Sequence, residues 1–103
     1  MLKTNIEFRK GVLFIRLNGI IDSEKYLEEL NNLIEEIGIK YVVLNIGIIK
    51  YFDVKSIKNI VNYNKKILKE RKKLLICDNN TNREKLFNNI PNINCEIEAF
   101  SLI

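Results

Sequence analysis

The spacing of hydrophobic residues changes several times along the chain, and each change marks an element. Ile6-Glu7-Phe8 alternates, Arg9-Lys10-Gly11 has the composition of a turn, and Val12 to Asn18, VLFIRLN, is a branched and aromatic run that suits a strand. Together they predict an opening hairpin. From Glu24 to Ile37 the period lengthens. Leu27, Leu30, Leu33, Ile34 and Ile37 recur at helical spacing while Glu28, Glu29, Glu35 and Glu36 take the other side. Asp22 or Ser23 can cap this helix, and Gly38 ends it as a left-handed residue.

Ile39 to Ile46, IKYVVLNI, is the most apolar stretch and predicts a central strand buried on both faces. Asp53 then caps a second helix running to about Glu70. Its expected inward side is Ile57, Ile60, Val61, Tyr63, Ile67 and Leu68, and its outward side is Lys55, Lys58, Asn59, Asn62, Lys65, Lys66 and Lys69. Leu74 to Cys77 predicts a short strand. Thr81 or Asn82 can start a third helix through Arg83, Leu86 and Phe87, stopped by Pro91. Cys95 to Ile97 predicts a last strand, and Glu98 to Ile103 a brief tail.

The order β-β-α-β-α-β-α-β within 103 residues predicts one α/β domain over residues 1–103. Alternation of strands and helices implies a mostly parallel sheet with right-handed crossovers, to which the hairpin adds an antiparallel edge. Sites in such sheets gather at the carboxyl ends of strands, which selects the turns at Asp22 and Asp53.

Composition narrows the chemistry. The chain has no histidine, which removes the usual general base, the usual serine or cysteine triad and most zinc sites. Its four glycines stand singly, so no phosphate-cradling loop follows a strand, and no cofactor is expected. Asp22, Asp53 and Asp78 all stand at strand-to-helix turns, where capping is the ordinary work of aspartate rather than metal binding. Cys77 and Cys95 lack metal-ligand or redox spacing and are expected to be buried hydrophobes, with a nucleophilic Cys77 as a minor alternative. No signal peptide or membrane span is legible, which predicts a cytoplasmic protein without a membrane partner.

Seventeen Lys plus Arg against thirteen Asp plus Glu give a net charge of +4, which raises nucleic acid as an alternative partner. Lys58, Lys65, Lys66, Lys69, Arg71, Lys72 and Lys73 would supply that surface. No aromatic residues interleave with them as stacking platforms, and cations at a helix C-terminus are favourable in any case.

Two strings carry a more specific signal. Val12 to Asp22, VLFIRLNGIID, ends in the L-x-G-x-I/L-D part of a V-x-x-L-x-G-x-I/L-D strand and turn, and IKYVVLNIGIIKYFD fits a hydrophobic strand leading to an Asp-initiated helix. With the strand after the second helix, the pattern from about Ile6 to Phe87 resembles the STAS domain, the family of bacterial anti-sigma factor antagonists and related regulatory modules. The resemblance implies a mixed sheet of four to five strands with about three helices. It also implies a non-enzymatic function, the docking of an anti-sigma factor, often a serine kinase, or a related regulatory protein. In the family, phosphorylation of a serine in D-S-S-G after the strand switches docking off. Here the corresponding residues are Asp53-Val54-Lys55-Ser56, so lysine occupies the acceptor position.

A phosphoserine at that point would place nearly two negative charges against free N–H groups at a helix start; lysine brings the opposite charge. Ser56 is the neighbouring candidate acceptor, although one residue turns a side chain by about 100° around a helix. The partner-binding residues implied by this alignment are Asp22, Ser23, Tyr26, Asp53, Val54, Lys55, Ser56, Lys58, Asn59 and Asn62.

Overall fold

Lys10 and Gly11 both take left-handed backbone, with φ of 50° and 82°, as a two-residue turn between antiparallel strands requires. They join β1 (Leu2–Arg9) to β2 (Val12–Gly19), paired along their whole length from Arg9 opposite Val12 to Leu2 opposite Gly19. The computed structural model describes residues 2–21, 25–49, 51, 53–80, 86–87 and 89–102. β1 is longer than the expected Ile6–Phe8 piece. Polar Lys3, Asn5 and Glu7 alternate along it and lie opposite Asn18, Arg16 and Phe14 of β2.

After β2 come α1 (Lys25–Ile37), β3 (Tyr41–Asn45), α2 (Val54–Lys69), β4 (Lys73–Cys77) and β5 (Asn92–Ile93). The sheet order is β1-β2-β3-β4-β5, with only β1 antiparallel. This is the mixed α/β sheet the hydrophobic pattern implies. Gly38, at φ 72°, closes α1 as expected, and its N–H donates to the Ile34 carbonyl at 3.0 Å.

Alternation along the strands divides the core. Leu13, Ile15, Leu17, Val42, Leu44, Leu74 and Ile76 face one way and meet Leu30 and Ile34 of α1 and Ile60 and Ile67 of α2. Val12, Phe14, Val43, Leu75 and Cys77 face the other way. That second face is covered by a feature the sequence pattern misassigns. The expected Cys95–Ile97 strand is instead the start of a 3₁₀ helix, Glu96–Ser101, which seats Ala99 and Phe100 on the sheet. The Phe100 ring stands edge-on to Phe14 at a centroid distance of 5.7 Å. The last strand lies earlier, at Asn92–Ile93, where Pro91 leads in and its carbonyl accepts from the Ile76 N–H at 2.9 Å.

Most of the expected third helix falls outside the described residues. Of its apolar positions, Phe87 is buried against the helix-side core and Leu86 is exposed. The inward face of α2 is also rotated from the expectation. Its centre runs through Ser56, Ile60, Asn64 and Ile67, so Leu68, about 100° from Ile67, is exposed, and Asn59 is half-buried rather than outward.

Candidate functional site

The carboxyl ends of β2 and β3 converge on the start of α2. Asp53 has extended backbone and caps the helix: the Ser56 N–H donates to its Oδ1 at 2.7 Å, and the Ile57 N–H donates to its carbonyl at 3.2 Å. The Ser56 hydroxyl, and after it the Ser56 N–H, hold the Asp53 carboxyl below its ordinary pKa. The hydroxyl also donates to the Ile21 carbonyl at 3.5 Å, tying the end of the β2 segment to α2. A second tie is the parallel bridge between Ile20 and Tyr51.

These ties arrange an apolar surface. Val54, the first residue of α2, is 68% exposed, and Tyr51, Ile48 and Ile20 are 62%, 60% and 53% exposed. Lys55 and Lys58 are exposed beside them, as is Asn62 one turn on. Ile20, Ile48 and Tyr51 are not among the residues implied by sequence. Their only sequence signal is that they fall in turn segments outside any strand or helix period.

The remaining candidates separate. Asp22 and Ser23 lie outside the described residues, and Tyr26 lies in the first turn of α1 with its side chain outside them. Ser56, the candidate phosphate acceptor, is only 6% exposed, with its hydroxyl turned inward to Ile21. In this conformation it is not presented to a kinase. Lys55, which the sequence resemblance aligns with the family's acceptor, is exposed and carries no hydroxyl.

A cleft of about 390 Å³, bordering the apolar group at Ile48, is lined further by Asn45, Cys77, Asp78, Asn79, Cys95 and Glu96. Cys77 is buried, as expected, whereas Cys95 is exposed, because it precedes the 3₁₀ helix rather than lying in a strand. Burial, with Glu96 and other acidic neighbours, pushes the Cys77 thiol up to about 11, the reverse of what a nucleophile needs. Asp78 is buried and accepts from the Asn80 N–H at 3.1 Å, a turn role. No group of three potential metal ligands forms among the described residues. The basic run is also partly engaged: Lys72 pairs with Glu70 at 3.1 Å, and Lys73 donates to the Leu102 carbonyl at 3.3 Å.

The STAS domain family matches residues 3–95, nearly the whole of the sheet and both α-helices. The chain belongs to the STAS family. Solved structures agree with this STAS fold. An anti-sigma factor antagonist from Mycobacterium paratuberculosis superposes with a TM-score of 0.77 at 17% identity, covering 100% of this chain and 94% of that one. The solution structure of the protein TM1081 gives 0.82 at 15% identity, over 93% and 84%. A protein of the DUF3478 family from Shewanella loihica, described as having a SpoIIAA-like fold, gives 0.64 at 13% identity, over 98% and 92%. No described helix is long and apolar enough to cross a membrane.

Proposed function

We propose that this STAS domain is a non-enzymatic regulatory module that docks an anti-sigma factor or related signalling protein. It does so through the Asp22–Tyr26 turn and the front of α2. The observation that carries this reading is the exposed apolar group Ile20, Ile48, Tyr51 and Val54, held against a capped helix start and flanked by Lys55 and Lys58. Asp22, Ser23, Tyr26, Val54, Lys55, Lys58, Asn59 and Asn62 form the docking surface in this reading. Asp53 and Ser56 shape it from behind. Lysine at the acceptor position selects a partner with an acidic patch and leaves the interaction without the family's phosphoserine switch.

Affinity capture from the native cell, with the protein and its Lys55→Glu and Val54→Asp variants as baits, tests the reading. Recovery of a transcription regulator by the unaltered protein, lost by both variants while their melting temperatures stay unchanged, is the expected result. Equal recovery by all three baits, or capture governed only by nucleic acid and abolished by salt, would overturn it.

A further inference from the structure

β1 is an edge strand of eight residues, long enough to pair with another strand. The two-residue turn makes Arg9 and Val12 a hydrogen-bonded pair. Counting back, Glu7, Asn5 and Lys3 also spend their N–H and C=O groups on β2. The backbone groups of Leu2, Thr4, Ile6 and Phe8 therefore point away from the sheet. The side chains of these four lie on the helix-bearing face, where Ile6 and Phe8 are 45% and 55% exposed.

Outward hydrogen bonding at alternate residues restricts antiparallel self-pairing of β1 to a few two-fold registers, and side-chain chemistry selects among them. Centring the axis on Ile6 sets Lys3 opposite Arg9, and centring it on Glu7 sets that carboxylate opposite its own copy. Centring it on Thr4 leaves Phe8 without a partner. Centring it on Asn5 sets Lys3 opposite Glu7, Leu2 opposite Phe8 and Thr4 opposite Ile6, each pair occurring twice by symmetry. The close, non-hydrogen-bonded pairs are then Lys3 with Glu7 and Asn5 with Asn5. Opposite charges thus meet where side chains approach most nearly.

We propose that β1 is a homodimerisation edge in this register, joining two five-stranded sheets into one with the helices of both copies on the same face. Lys3, Thr4 and Asn5 line one pocket with Ile48, so the paired edge borders the apolar group at that residue. Edge pairing of this length buries less than a standard interface, so association is weak and concentration-dependent.

Light scattering and sedimentation over a micromolar-to-millimolar series should show the mass rising from 12.1 kDa toward twice that value. Thr4→Pro, which removes an outward N–H, and Lys3→Glu, which sets a carboxylate opposite each Glu7, should each weaken association by about tenfold or more while circular dichroism stays unchanged. In a Cys95→Ser background, diamide should cross-link Asn5→Cys into a dimer. Thr4→Cys and Glu7→Cys, which do not face their own copies, should stay monomeric. A monomer mass throughout the series, or cross-linking at Glu7→Cys instead of Asn5→Cys, would overturn the proposal.

Discussion

Arg16 and Glu96, eighty positions apart, meet through two parallel hydrogen bonds, Nε to Oε2 at 2.8 Å and Nη2 to Oε1 at 2.7 Å. The guanidinium reaches Glu7 at 2.8 Å and Asn5 Oδ1 at 3.0 Å as well, and Asn45 donates to Glu96 Oε2 at 2.8 Å. One arginine on β2 thus fastens the start of the 3₁₀ helix to the sheet and holds β1 beside it. A paired, half-buried fork of this kind is stronger than an ordinary surface ion pair. Arg16→Ala and Glu96→Ala should each destabilise by about 1–2 kcal/mol, with a double-mutant coupling of about 1 kcal/mol by urea denaturation. Additive losses would show the fork to be energetically idle.

The same pair sets an acid limb of stability. The Arg16 hydrogen bond holds the Glu96 carboxyl below its ordinary value of 4.5, and the Ser56 hydroxyl and N–H do the same for Asp53. A depressed carboxylate contributes stability that is fully present above its unfolded pKa and is lost as pH falls through the lower folded value. Melting temperature should therefore be flat with respect to these groups at neutral pH and fall below about pH 4.5. Glu96→Gln should lower the plateau and make the acid limb shallower. An unchanged limb would place the acid sensitivity elsewhere.

Strands β2 to β4 and both α-helices are legible in the sequence because their apolar positions form unbroken runs or recur at nearly four, with Asp53 and Gly38 as stops, whereas β5 at Asn92–Ile93 carries no such signal. The 3₁₀ helix is not legible. Its Glu96-Ile97-Glu98 start alternates like a strand, and what makes it helical is distant: Arg16 and Asn45 draw in Glu96, while Phe14 and Val43 leave a bare face for Ala99 and Phe100. At the candidate site, the Asp53 cap follows from residue type and spacing. The exposure of Ile48 and Tyr51 does not, because an apolar side chain in a turn gives no sign of which way it faces. Burial of Ser56 depends on the rotation of α2 about its axis, which is fixed by packing of Ile60 and Ile67.

Arg71 offers a stability gain. It follows α2 with φ of 64°, its N–H bonding the Leu68 carbonyl at 3.0 Å and the next N–H, of Lys72, bonding the Ile67 carbonyl at 2.9 Å. This is a helix stop that ordinarily uses glycine, and a Cβ in the left-handed region costs about 1 kcal/mol. Arg71→Gly should stabilise the protein by about 0.5–1 kcal/mol, read as a higher melting temperature. A loss would show that the arginine side chain contributes more than its backbone costs.

The two cysteines should respond differently to alkylation. Cys95 is exposed, whereas Cys77 is buried with its thiol held protonated to about 11. Iodoacetamide at neutral pH should add one label to the folded protein, at Cys95, and a second only in denaturant. Rapid native labelling of Cys77 would reopen the nucleophilic reading of that residue.

Ser56 separates a docking surface from a phosphorylation switch. Its hydroxyl is inward against the Ile21 carbonyl, and its N–H is the donor that makes Asp53 a cap. Ser56→Ala keeps that N–H but removes the hydroxyl's bond to the Ile21 carbonyl and its hold on the Asp53 carboxyl, so it should cost about 1 kcal/mol and leave partner capture intact. Ser56→Asp puts a carboxylate in a nearly closed site beside Asp53, so it should destabilise by about 2 kcal/mol or more despite the favourable helix dipole. A phosphate switch at Ser56 makes the opposite prediction, a folded Ser56→Asp protein that has lost only its partner. Thermal melts of both variants beside their capture assays distinguish the two outcomes.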